Sequence, residues 1–324
     1  MHNGAMQRLG TLNQKTLEER SGLRRLLRFQ SLTDELESTP VDHQIIRPMG
    51  GQELRHAETQ IRYVKNGQNP QMAYTQVHYL KGFFLLHHLC TIVGTEAFFR
   101  FLRHYIHDLY HGKLVHSTDF LTLYFETFKD ENTIQDNVEK ICRQWLDTAT
   151  LPDSIRVANE PFKETMMVIQ VQKAADSWMN SLTSTKSNKK RKYSHSTEGN
   201  IGIQNFCPEQ LLMFLELLIR CPHKLDYNNT LKNLAAQIGS FDRYNADIQH
   251  RLCELLVLTS TNSVKNHSFL KQFLSEHQAM GVYIYSEMAL SRNKALKKLA
   301  LTIFEELAPE LDPSTKHNIS ELLS

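Results

Sequence analysis

Apolar side chains along this chain return mostly every three or four residues, the spacing at which they share one face of a helix. The densest run, Gly82 to Val93, predicts a core helix. Gly94 is a natural stop, and Thr95-Glu96-Ala97-Phe98-Phe99-Arg100-Phe101-Leu102 opens the next helix. Ser117-Thr118-Asp119 supplies capping chemistry ahead of Phe120 to Phe128, where Phe120, Tyr124, Phe125 and Phe128 are aromatic. Asn137 to Leu146 predicts another helix, and Thr150-Leu151-Pro152 breaks the pattern. A longer helix is expected from Phe162 to Leu182.

Polarity then changes abruptly. Ser184 to Asn200 reads STKSNKKRKYSHSTEGN, nearly free of apolar residues, and predicts an exposed, disordered basic loop within residues 184–204. Short amphipathic helices are expected beyond it, at Pro208 to Arg220, Asn229 to Ile238, Tyr244 to Leu258, Asn266 to Gln278, Gly281 to Leu290, Lys294 to Leu307 and Pro313 to Leu323. Brief loops join them, the pattern of a right-handed helical stack. No strict sequence period links them, so any repeat is structural only.

Composition narrows the class. The 324 residues suffice for one large or two ordinary domains, and 13 Gly with 9 Pro lack the punctuation of an all-β fold. A net charge of +2 sets up no global field for nucleic acid or membrane, so any basic function is local. The five cysteines are odd in number and contain no C-x-x-C pair, which speaks for a reducing compartment over a disulfide framework. The N-terminal stretch has no apolar core, and no run reaches the length of a membrane span, so no secretory signal and no membrane partner are expected.

The stretch AYTQVHYLKGFFLLHHL, from Ala73 to Leu89, carries a specific likeness. Ala73-Tyr74, then Tyr79-Leu80-Lys81-Gly82 and the apolar helix, resembles the zinc aminopeptidases of the leukotriene A hydrolase type. Gly94 to Leu102, Asp119-Phe120 with Tyr124-Phe125, and Gln144-Trp145-Leu146 followed by Leu151-Pro152 resemble the helices that come next in that family. The segment after Phe162 is similar in order and length to its C-terminal helical-repeat domain.

The resemblance implies an all-α fold in two parts. Residues 1–150 would be the helical half of a thermolysin-like catalytic domain, and residues 151–324 an armadillo-like α-superhelix interrupted by the basic loop. It also implies site residues. Tyr79 would be catalytic, its hydroxyl donating to the oxyanion that develops when water attacks a peptide carbonyl, and Tyr74 would lie near the substrate. By residue type alone, a tyrosine leading a helix more often packs its ring and satisfies its hydroxyl locally. Both uses stay open at this point.

The family's zinc site is H-E-x-x-H on one helix plus a later Glu, with two His at i and i+4 and the first Glu as base. None of the 16 histidines here is followed directly by Glu. The expectation is therefore the C-terminal portion of a zinc-dependent aminopeptidase acting on peptides: zinc in the full-length family, none bound by this chain alone, and a chain incomplete for catalysis. Around Ala279-Met280-Gly281 no basic pair matches the one that reads a substrate carboxylate in leukotriene A hydrolase, so epoxide hydrolysis is not expected.

Two other groups compete for chemistry. His104, His107 and His111 sit at i, i+3 and i+7 with Asp108, but a solvated helix face explains them better than a metal site. Lys189, Lys190, Arg191 and Lys192 form a compact cationic run in a polar loop, the pattern of an address read by the nuclear import machinery. The resemblance points the same way, towards nucleus, nucleolus and cytoplasm. Without interleaved aromatic residues, nucleic-acid binding is the minor reading. The rival to the enzyme is thus a non-enzymatic helical-repeat interaction protein with a nuclear or nucleolar address.

Overall fold

A computed structural model describes residues 14–39, 41–46, 76–130, 134, 136–183, 202–222, 225, 229–259 and 264–324. Among them there is no strand; the fold is all α. The helices are α1 (Gln14–Ser38), α2 (Val77–Val93), α3 (Thr95–Arg103), α4 (Ser117–Thr127), α5 (Val138–Ile141), α6 (Asp153–Asn159) and α7 (Met166–Thr183). Beyond the stretch Ser184 to Asn200, expected as a basic loop and lying outside the described residues, come α8 (Pro208–Ile219), α9 (Thr230–Ile238), α10 (Ala246–Thr259), α11 (Val264–Glu276), α12 (Gln278–Leu290), α13 (Lys294–Leu307) and α14 (Pro313–Leu323). Two compact units result, Arg24–Lys163 and the combination of residues 1–23 with Glu164–Ser324. Helix α1 contributes residues to both.

In the unit Arg24–Lys163 the core gathers Leu32, Phe84, Leu89, Phe101, Tyr124, Ile141 and Trp145. Tyr124 is its hub: its ring meets Phe98, Phe101, Phe125 and Phe128 edge-on or tilted, at 5.0 to 6.3 Å. Its hydroxyl donates to the Leu89 carbonyl at 2.8 Å, so the buried phenol is satisfied. Two helices end in π turns, His104–Leu109 after α3 and Cys142–Leu146 after α5. The second widens the run expected to be one plain helix, Asn137 to Leu146. The Asp147 N–H reaches the Cys142 carbonyl at 2.9 Å, and Ile141, Cys142, Trp145 and Leu146 all become buried. Asn137 caps the start, accepting from the Lys140 N–H at 2.8 Å.

In the other unit, α8, α10, α12 and α14 pack one on the next, α7 covers α8, and α9, α11 and α13 sit between them in sequence. Phe214, Leu252, Leu255, Phe273, Ile284 and Ile303 line the continuous core. A network of charged groups bridges two of these helices. Arg251 on α10 reaches Glu216 on α8 and Glu254 on its own helix, each at 2.6 Å. Burial alone would lower the Arg251 pKa, but the two carboxylates outweigh it and hold the guanidinium more firmly charged. Arg20 on α1 meets Glu209 on α8 at 3.0 Å.

Candidate functional site

Tyr79 is the third residue of α2, so its placement depends on what fixes the first turn of that helix. The helix starts at Val77, five residues before the apolar run begins at Gly82, because Val77 is itself fully buried and extends the inward face. Just ahead of it, the Gln76 backbone N–H donates to Glu35 Oε1 at 2.7 Å. A carboxylate from α1 thereby satisfies one of the donors that a helix start leaves open, and it sits at the positive end of the helix dipole. Farther along, Phe29 of α1 packs edge-on against Phe84 at 6.2 Å, and Arg28 lies 4.3 Å above the Phe83 ring.

Lys81 completes the turn. Two residues on from Tyr79, it points about 200° away around the helix. Tyr79 is accordingly 70% exposed and Lys81 is 0% exposed. The Lys81 amine donates to the Thr148 carbonyl at 2.5 Å, just past the π turn Cys142–Leu146. Burial draws its pKa down to about 8, against the nearby Asp147 carboxylate, which acts in the opposite direction. In the sequence this lysine is legible only as part of the Tyr79-Leu80-Lys81-Gly82 segment. The available signal was a single cation at the head of an otherwise apolar run.

The histidines of α2 serve separate contacts. His88 stacks on Trp145 at 5.4 Å with 27° between the rings, while His87 faces Arg25 and Thr91. Burial lowers the pKa of both; Arg25 lowers that of His87 further, and Asp136 acts the other way on His88. His104, His107 and His111 are exposed, and the π turn changes the spacing that would have aligned them. His104 Nδ1 instead lies 2.8 Å from Asp108 Oδ2. Among the described residues, no group of three or more His, Cys, Asp or Glu side chains could hold a metal ion. Tyr74 and Lys189, Lys190, Arg191 and Lys192 lie outside the described residues. Among the described residues, the arrangement offers a phenol hydrogen-bond donor held outward from an anchored turn.

Residues 30–145, which include Glu35, Val77, Tyr79 and Lys81, match the peptidase family M1 domain. That segment is an M1 peptidase segment. Residues 206–323, which contain α8 to α14, match the leukotriene A4 hydrolase C-terminal domain. Aminopeptidase O of Homo sapiens is 31% identical over 305 residues, covering 94% of this chain and 36% of that protein. Aminopeptidase O of Rattus norvegicus is likewise 31% identical, over 307 residues, with 94% and 36% covered. Leucine aminopeptidase 2-1 of Meyerozyma guilliermondii is 26% identical over 253 residues, covering 76% of this chain and 38% of that protein. The chain thus spans little more than a third of the length of these M1 relatives. No solved structure matches it.

Proposed function

We propose that this chain supplies part of a zinc-dependent aminopeptidase that removes N-terminal residues from peptides, with Tyr79 as the donor to the oxyanion. The supporting observation is the exposed Tyr79 phenol on a first turn anchored by Val77, Lys81 and Glu35, inside the stretch that matches the M1 domain. When a peptide carbonyl becomes tetrahedral, charge grows on its oxygen. A phenol O–H placed there stabilises the transition state more than the ground state, and loss of one such donor costs about 10²–10³ in kcat. Rigid placement matters because the donor must not reorganise during the step.

In the family, zinc supplies carbonyl polarisation and an activated water. The described residues offer no ligand set that fits it, and no histidine in the sequence is followed by Glu. This chain is therefore incomplete for catalysis on its own. Zinc content of the purified chain, measured with hydrolysis of aminoacyl-amide reporters, tests both parts. Substoichiometric zinc and no chelator-sensitive cleavage are expected. Stoichiometric zinc with chelator-sensitive cleavage would overturn incompleteness, and such cleavage surviving Tyr79→Phe would also overturn the role of the tyrosine.

The missing H-E-x-x-H supports a second reading, a helical-repeat interaction protein carried into the nucleus by Lys189, Lys190, Arg191 and Lys192. A fluorescent fusion should accumulate in nucleus and nucleolus and lose that accumulation when all four residues become Gln. Unchanged distribution of the quadruple variant would rule the address out.

A further inference from the structure

We infer that Lys81 is a positioning residue for Tyr79, fixing the first turn of α2 by one directed bond to the Thr148 carbonyl. This rests on the proposed role of Tyr79. The other buried residues of α2, Val77, Phe84, Leu85 and Leu89, are all apolar. An ammonium in that company carries a desolvation cost that a methionine or leucine would avoid, so packing alone does not account for a lysine. What the amine adds is direction. It ties the helix to a carbonyl 67 residues away in the chain, in the non-helical segment that follows the last π-turn bond, Asp147 N–H to the Cys142 carbonyl.

The geometry connects this anchor to the phenol. Lys81 and Tyr79 lie on opposite sides of the same turn, one fully buried and the other largely exposed. A shift or rotation of that turn moves both side chains together. The lysine thus acts on the tyrosine through backbone they share. Asp147, beside Thr148, is the charged group acting on the amine, and with the amine's pKa drawn down to about 8 the anchor should weaken on the alkaline side.

Peptide-resolved hydrogen exchange on the whole chain tests this without requiring activity, so its failure is distinct from failure of the Tyr79 reading. In Lys81→Met, amides from Leu80 to Phe83 should exchange on the order of tenfold faster, the scale of one lost hydrogen bond of about 1.4 kcal/mol. Amides from Leu89 to Val93 should stay as they are, and Lys81→Arg should keep the slow exchange. Unchanged exchange, or a uniform rise along α2, would show a packing role only and overturn the inference. Should Lys81→Met not fold, the wild-type chain at pH 6.5 and 9.5 decides, after correction for intrinsic rates. First-turn protection should fall at the higher pH relative to Leu89 to Val93, and equal protection would overturn the inference.

Discussion

Arg251 shows how much one side chain can carry in the helical stack. Its guanidinium lies between Glu216 and Glu254, and Glu254 is itself only 5% exposed. Burial raises the Glu254 pKa above the ordinary carboxylate value, and Arg251 opposes that shift. Replacing the arginine leaves two carboxylates facing each other with no cation between them. Arg251→Met should therefore cost about 3–5 kcal/mol, read by denaturant unfolding. Had the network been isolated on an exposed surface, the same change would cost less than about 1 kcal/mol. The sequence shows Arg251 and Glu254 three residues apart on one helix but gives no hint of Glu216, because α8 and α10 are brought together by their apolar faces.

Helix boundaries were largely legible because they depend on local chemistry. Lys294–Leu307 and Pro313–Leu323 start and stop where caps and apolar period place them: Asn293 accepts from the Ala295 N–H at 3.0 Å, and Pro313 occupies the first turn of α14. Gly94 ends α2 with φ of 84° and ψ of 153°, a backbone region that only glycine enters freely. An added Cβ would meet nothing within 4 Å, so the cost of Gly94→Ala is purely conformational. It should lower stability by about 1–3 kcal/mol in thermal unfolding. Elements whose reasons are distant were not legible. Helix α1 is rich in charge, and its buried positions Leu23, Leu26 and Leu32 gain meaning only from what they pack on. Helix α6 begins at Asp153, directly after the Pro152 that reads as a break; the proline serves as its N-cap residue.

The stability of the molecule should respond to acid through His250. Burial, helped by Arg251, lowers its pKa from 6.5 to about 4, while a backbone hydrogen bond with Met280 acts the other way. The native state then binds fewer protons than the unfolded chain between those values. Its contribution to stability is present above pH 6.5 and is lost as pH falls through about 4, up to roughly 3 kcal/mol. Glu254, with its raised pKa, contributes with the opposite sign, so comparison with His250→Gln isolates the histidine. The wild-type chain should lose more stability than the variant between pH 7 and 4, measured by urea unfolding; parallel curves would contradict this.

The sequence by itself determined the all-α character, most helix ends after Gly94 and the two family segments, since these follow from apolar period, caps and local motif. It also set Tyr79 just ahead of the apolar run from Gly82, although the helix itself starts earlier, at Val77. Only the tertiary structure decided which way that tyrosine faces. Tyr79 is exposed because Lys81, about 200° around the same turn, is buried, and Lys81 is buried because Thr148 accepts its amine from 67 residues away. The π turn at Cys142–Leu146 belongs to the same class, since burying Ile141, Cys142, Trp145 and Leu146 together needs a surrounding core. Local propensity writes an element, but only contacts distant in sequence orient it and give its exposed side chains a use.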